Sequence, residues 1–332
     1  METPGQKHAV AVLGAGSWGT ALAMVMARSG REVRLFARDE ATAAGMEKAR
    51  ENIRYLPGIR FPDSLHVSAN TQSVLQDIVA CVVALPCSAA DAYLPLLDGD
   101  YPVIAACKGL HPQSLIRTDE MLAKHIPADR IAILSGPSFA EEVARGQPTA
   151  ITMAAQNLTQ ASAAAAYFDD TNFRIYLSDD VIGVAMGGAL KNVVAIAAGI
   201  AAGLGLGHNS VAAVVTRGLA EMARLSAACG GQAETSMGLS GLGDLVLTCT
   251  GSLSRNRRFG IAIAKGKNVA DACDGIGQVV EGVRTAEAVD HLAKKLGIDV
   301  PLMQSVHEVL SGRLHISDAV ATLMSRPERP EF

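Results

Sequence analysis

The sequence predicts a doubly wound α/β domain followed by a second domain built only of helices. Three observations lead there. The apolar run Val10–Leu13 flows directly into Gly14-Ala15-Gly16-Ser17-Trp18-Gly19 and then into a helical pattern over Thr20–Arg28. From there to about Ser178, β and α signals alternate, as they do where helices cover both faces of a largely parallel sheet. Beyond Ser178 the β signal fades, and one helical pattern follows another to the end. The expected boundaries are residues 1–178 and 179–332.

The first strand and its glycines carry most of the chemistry. In a G-x-G-x-x-G turn between strand and helix, Gly14 allows the tight turn and Gly16 lets backbone amides approach a pyrophosphate. Gly19 lets the helix pack closely. The free N–H groups and dipole of that helix then favour the ligand's negative charge. The motif therefore predicts a bound dinucleotide. A second β run, Glu32–Ala37, ends at Arg38. An acidic residue at this point grips a ribose 2′-OH, whereas an arginine suits a 2′-phosphate. Arg38 favours NADP, with Asp39, one residue late, as the competing acid.

Further strands are predicted at His8–Leu13, Val33–Ala37, Val79–Leu85, Val103–Cys107, Arg130–Leu134, Thr149–Ala154 and Phe173–Leu177. Helices between them include Thr20–Ser29, Ala41–Asn52 and Leu115–His125. Ligands of such sheets lie beyond the carboxyl ends of the strands. Leu85-Pro86-Cys87-Ser88 closes one strand beside the expected cofactor. Cys107-Lys108-Gly109 closes the next, and Lys108 is either a cation for the crevice or a solvated loop residue. Ser135–Glu141 closes the third. There Ser138 and Glu141 have capping-box spacing, and the same helix start also suits an anion.

Composition narrows the class. The chain has 332 residues, enough for two sizeable cores, with 49% hydrophobic and 19% charged side chains and a net charge of −4. Nothing in that balance points to nucleic acid or an anionic membrane. Six cysteines lack zinc or CxxC spacing and read as reduced core residues of a cytoplasmic protein. Met1–Lys7 is polar, so no signal peptide is expected. Val181–Leu206 is apolar enough to cross a bilayer, but Lys191 and Asn192 near its middle favour a buried helix. No metal is expected, because the histidines form no ligand pattern.

The helical half carries its own candidates. Helices are predicted at Val211–Cys229, Gly282–Leu296 and Gln304–Ser311, with breaks at Gly203–Gly207, Gly230-Gly231, Gly238–Gly243 and Gly275–Gly277. Lys191 sits among small apolar residues in Gly188–Val194. Burial disfavours its ammonium form and suits it to acid–base work near neutrality; a lysine snorkelling from a helix edge is the plain alternative. Asp244 follows a glycine-rich stretch and is either a site acid or a helix cap. Ser254–Gly260 gathers three arginines, enough to hold a phosphate or to form a solvated face.

Seven segments in order resemble the bacterial-type NAD(P)-dependent glycerol-3-phosphate dehydrogenases from end to end. They are Gly14–Leu22, Cys107–Leu110, Ser135–Glu142, Ala189–Val193, Gly241–Leu245, Ser254–Arg257 and Val279–Val283. The resemblance implies a Rossmann-type N-terminal domain and an all-α C-terminal domain like that of 6-phosphogluconate dehydrogenase. It implies interconversion of dihydroxyacetone phosphate and sn-glycerol 3-phosphate, feeding phospholipid synthesis, with NADPH/NADP as cofactor and NADH/NAD as the alternative. It also implies a homodimer.

Roles follow position by position from the same resemblance. Gly14, Gly16, Ser17, Trp18 and Gly19 would hold the cofactor pyrophosphate and Arg38 its 2′-phosphate. Ala140, Val279 and Glu281 would be further cofactor contacts. Lys108 would serve substrate and cofactor. Gly136, Ser138, Asp244, Ser254, Arg255 and Asn256 would bind substrate, with Arg255 also near the cofactor and Asn192 and Thr248 behind them. Lys191 would donate and accept the proton. Two rivals are another dehydrogenase of this architecture and a non-catalytic NAD(P) sensor; the sensor has no need of Lys108, Lys191 and Asp244 together.

Overall fold

The computed structural model describes residues 9–111, 114–170 and 172–327. His8, which opens the first predicted strand, and Met1–Lys7 lie outside them. The chain forms two compact units. Among the described residues, the first takes in those up to His111 and those of 116–185, and the second takes in Ser114, Leu115 and those from Met186 on. The division falls inside the long apolar helix rather than at Ser178.

Among its described residues the first unit is built on eight strands: β1 (Ala9–Leu13), β2 (Val33–Phe36), β3 (Leu65–Ser68), β4 (Ile78–Val83), β5 (Val103–Ala105), β6 (Ile131–Ser135), β7 (Thr149–Ala155) and β8 (Phe173–Ser178). They form one sheet in the order β3-β2-β1-β4-β5-β6-β7-β8. Pairing is parallel from β3 across to β6, antiparallel between β6 and β7, and parallel again between β7 and β8. Every residue of β1 is buried. Val10 and Val12 join the core on one face, Ala9, Ala11 and Leu13 that on the other. Burial on both faces is why this strand reads as an unbroken apolar run. Because β1 lies between β2 and β4, the chain order reverses at its carboxyl end, the crevice where such sheets take ligands.

β3 is absent from the sequence-based list. It is four residues long, lies at the sheet edge, and turns His66 outward between buried Leu65 and Val67. So short an alternation does not stand out from a loop. The helices of this unit are α1 (Ser17–Arg28), α2 (Glu40–Ala49), α3 (Thr71–Leu75), α4 (Cys87–Ala90), α5 (Thr118–Ala123), α6 (Ala140–Ala144) and α7 (Leu158–Ala165). α5 begins three residues later than predicted because Leu115 is left-handed, with φ +58°, a conformation that cannot start a helix.

The regular elements among the second unit's described residues are all helices: α8 (Val181–Gly203), whose first residues belong to the sheet unit, then α9 (Gly207–Ala228), α10 (Asp244–Thr250), α11 (Arg255–Ala264), α12 (Val269–Ile276), α13 (Glu281–Leu296), α14 (Pro301–Leu310) and α15 (Ile316–Met324). α8 is long and apolar enough to cross a membrane, but 83% of its most apolar stretch is buried within the protein. It meets α11 at glycines: a Cβ on Gly199 would stand 2.2 Å from the Arg257 carbonyl oxygen, and one on Gly260 2.2 Å from that of Ile196. The glycine-rich stretch before Asp244 is not a loop. Leu239–Gly243 winds as a π-helix that runs into α10.

Candidate active site

In the sheet unit the glycine-rich turn follows β1, and each glycine has its own reason. Gly14 has φ +118°, and a Cβ there would lie 2.9 Å from the Ala84 carbonyl oxygen at the end of β4. A Cβ on Gly19 would lie 1.9 Å from the Gly14 carbonyl oxygen, so this glycine is required by the turn itself more than by the sheet. A Cβ on Gly16 would meet no protein atom within 4 Å. Packing places no demand on that residue, whereas close approach of a phosphate to the amides does. Gly16 opens α1 in extended conformation, with no side-chain cap and no acidic residue in the first turn. The N-terminal N–H groups and the dipole thus stay uncompensated by protein charge. These features fit a dinucleotide pyrophosphate. Ser17 is half-buried at the head of α1. Trp18 packs against the core, and its indole Nε1 is buried without a partner.

At the end of β2 the Arg38 side chain is exposed. Asp39 caps α2, accepting 2.9 Å hydrogen bonds from the Thr42 N–H and hydroxyl. Those two bonds hold its carboxyl below the usual range. Of the two competing residues, the acid is engaged by its own helix.

Lys108 and Ser138 converge on one backbone oxygen. Lys108 Nζ donates to the Gly136 carbonyl at 3.2 Å and Ser138 Oγ to the same atom at 3.0 Å. Gly136 has φ +151°, and a Cβ there would lie 2.9 Å from Ile151 Cγ1. The capping box expected at Ser138 and Glu141 does not form. α6 starts one residue later than that box requires, at Ala140, with Phe139 in the cap position and no side-chain cap. Glu141 pairs instead with Arg145 at 3.0 Å, one helical turn on, a spacing that suits ion pairs.

In the helical unit Lys191 extends from α8 to the first turn of α10. Its ammonium makes an ion pair with Asp244 Oδ1 and donates to Thr248 Oγ1 at 3.1 Å. Thr248 Oγ1 in turn donates to the Asp244 backbone carbonyl at 2.6 Å. Lys191, Asp244 and Thr248 are 7%, 1% and 5% exposed. The sequence suggested an amine desolvated alone; here the charge enters the interior with a counter-charge, the arrangement that buried ions require. The approach depends on Gly187, one turn before Lys191. A Cβ there would lie 2.4 Å from the Ser240 carbonyl oxygen, so the glycine lets the π-helical turn press against α8 and present Asp244. Nearby Cys249 is no rival nucleophile, since burial pushes its thiol up to about 12.

A second cluster continues from α8. Asn192 Oδ1 accepts from Asn256 Nδ2 at 2.8 Å, and Asn192 Nδ2 donates to Glu281 Oε2 at 3.3 Å. Asn256 Oδ1 accepts from the Gly282 N–H at 3.0 Å. Heads of α11 and α13 are thereby tied to α8. Ser254 caps α11, its hydroxyl accepting from Arg257 N–H at 3.2 Å. Arg255 Nη1 donates to Gln278 Oε1 at 3.4 Å, a partner that sequence reading missed. Val279 is not drawn into the cluster and is 51% exposed.

Sequence reading also missed Asn52, 2% exposed and bonded to the glycine-rich turn. No motif marks it, and the turn and helix residues that its amide holds, Ala15 and Thr20, lie more than thirty residues away.

Comparison with known proteins covers nearly all of the chain. Residues 9–161 match the family described as NAD-dependent glycerol-3-phosphate dehydrogenase N-terminus, and residues 180–321 match the corresponding C-terminus. A glycerol-3-phosphate dehydrogenase of Thioalkalivibrio sulfidiphilus, named for NAD(P)+, is 48% identical over 328 residues, spanning 97% of this chain and 98% of that protein. One from Koribacter versatilis is 45% identical over 331 residues, spanning 97% and 98%. A crystal structure of glycerol-3-phosphate dehydrogenase from Coxiella burnetii is 41% identical, with a TM-score of 0.91 over 96% of this chain and 99% of that one.

Proposed function

The chain belongs to the NAD-dependent glycerol-3-phosphate dehydrogenase family, and from that premise we propose how its own residues reduce dihydroxyacetone phosphate to sn-glycerol 3-phosphate. It is an NAD(P)-dependent oxidoreductase acting on a CH–OH group. The reading of the site rests above all on the buried Lys191–Asp244–Thr248 cluster.

When bound, a nicotinamide cofactor would supply the hydride for C2 of the substrate. As negative charge grows on the C2 oxygen, the Lys191 ammonium gives it a proton. Asp244 and Thr248 hold that ammonium in one orientation, so little reorganisation is needed during reaction. Lys108 adds positive charge, anchored through the Gly136 carbonyl beside Ser138. Arg255 and Asn256 grip the substrate phosphate and so fix the distance of the reacting carbon. Asn192 acts through Asn256 and Glu281, both of which it bonds. Gly14, Gly16, Ser17, Trp18 and Gly19 take the pyrophosphate, Arg38 the 2′-phosphate of NADPH, and Ala140, Val279 and Glu281 further parts of the cofactor. Residues 1–178 thus carry most of the cofactor contacts and 179–332 most of those to the substrate.

The product suits phospholipid synthesis in the cytoplasm. A homodimer is part of the same reading, supported by exposed Leu204 and Leu206 between α8 and α9.

The test is Lys191→Ala. This variant is expected to fold, to bind NADPH, and to lose turnover by about a thousandfold or more. Near-normal turnover removes Lys191 from the mechanism. Oxidation of NADPH by the unaltered protein that does not depend on dihydroxyacetone phosphate refutes the substrate.

A further inference from the structure

Among polar side chains outside the motifs, Asn52 stands apart. It follows α2, is almost fully buried, and satisfies its amide through a set of partners on two other segments. Nδ2 donates to the Ala15 carbonyl at 3.0 Å and to Thr20 Oγ1 at 2.8 Å. Oδ1 accepts from the Tyr55 N–H at 3.2 Å, and the Asn52 backbone carbonyl accepts from the N–H groups of Tyr55 and Leu56 at 3.2 and 2.8 Å.

Ala15 lies between the two glycines that shape the pyrophosphate turn. Its carbonyl orientation sets the direction of the Gly16 N–H, because both belong to one planar peptide unit. Thr20 is fully buried on the first turns of α1, and its N–H bonds the Gly16 carbonyl at 3.0 Å. One carboxamide therefore grips the turn and the helix that starts from it. Gly16 itself has no side chain to hold it, and a glycine turn is costly to order. A buried amide that fixes it beforehand lowers the ordering cost of binding an anion there.

We infer that Asn52 is a positioning residue for the cofactor: it pre-forms the pyrophosphate turn by holding the Ala15–Gly16 peptide and Thr20 in register. The inference rests on the dinucleotide reading of the turn given above. It concerns a contact common to NADPH and NADH, so it affects both equally and leaves Arg38's discrimination unchanged.

The experiment is a binding titration of the full-length protein with NADPH and with NADH, without substrate. The fluorescence of Trp18, the chain's sole tryptophan, is the readout, with melting temperatures taken alongside. Asn52→Asp keeps the size of the side chain and the acceptor for Tyr55 N–H but removes both donors. Asn52→Ala removes all three bonds. Both variants are expected to weaken NADPH and NADH by the same factor, about tenfold or more for two lost hydrogen bonds. KM for dihydroxyacetone phosphate in saturating NADPH should stay within about twofold, since saturation with cofactor offsets the cost of ordering the turn. Asn52→Asp is the deciding variant if Asn52→Ala does not fold. Unchanged cofactor affinity in folded Asn52→Asp means that the amide merely closes the Tyr55 turn, and overturns the inference. So does a loss confined to NADPH. Failure of the unaltered protein to bind either cofactor refutes the dinucleotide reading itself and is thereby distinct.

Discussion

Lys191 is usable only because of what faces it. A lone ammonium at 7% exposure would be expelled or neutralised, and Asp244 at 1% exposure supplies the opposite charge. Removing one partner of a buried pair costs far more than the pair contributes, since it strands the other charge. Asp244→Asn preserves shape but not charge, and it is expected to destabilise the protein by roughly 3 kcal/mol as well as to depress kcat. Chemical denaturation and initial rates measure the two effects. Wild-type stability in that variant removes the ion pair from the account. The glycines act at the same scale but oppositely: Gly14 and Gly19 are demanded by protein atoms within 3 Å of a notional Cβ, Gly16 by none.

Elements are joined by similar means at several points. Glu221 on α9 accepts the N–H groups of Leu302 and Met303 at 2.8 and 3.0 Å, capping the start of α14. Burial outweighs those bonds and nearby Arg224, and pushes the carboxyl up to about 7 from 4.5. Asp299 pushes the same way as burial. The folded state then holds a proton that the unfolded chain has released, so Glu221 contributes stability that is fully present below about pH 4.5 and is lost as pH rises towards about 7. Melting temperatures across that window should fall more in the parent than in Glu221→Gln, whose amide does not titrate. Parallel curves refute the assignment. The same economy of contacts lets α8 cross α11 at Gly199 and Gly260, where backbone meets backbone.

For the whole molecule, cofactor binding must appear as stability, because only the folded chain presents the glycine-rich turn. NADPH at about one hundred times its Kd should stabilise by about 2.7 kcal/mol, read as a rise in the unfolding midpoint. With the 2′-phosphate role proposed for Arg38, NADH at the same concentration should give less, by the logarithm of the ratio of the two Kd values. No shift with either cofactor contradicts the assignment of the sheet unit. The acid Asp39, which competes with Arg38 in the sequence, is retained by α2.

By itself the sequence determined what local backbone demands and burial write into adjacent residues. The glycine-rich turn after a fully buried strand, the alternation of strands and helices, the change to helix alone, and the lysine set in an apolar helix are all of that kind. Tertiary structure decided the rest. It assigned Asp244 to Lys191 across fifty-three positions and Asn52 to Ala15 across thirty-seven. It left Ser138 on the Gly136 carbonyl instead of capping α6, and it recruited Leu65–Ser68 as an edge strand. Such outcomes depend on which distant groups satisfy a buried hydrogen bond or charge, and no short stretch of sequence carries the identity of those partners.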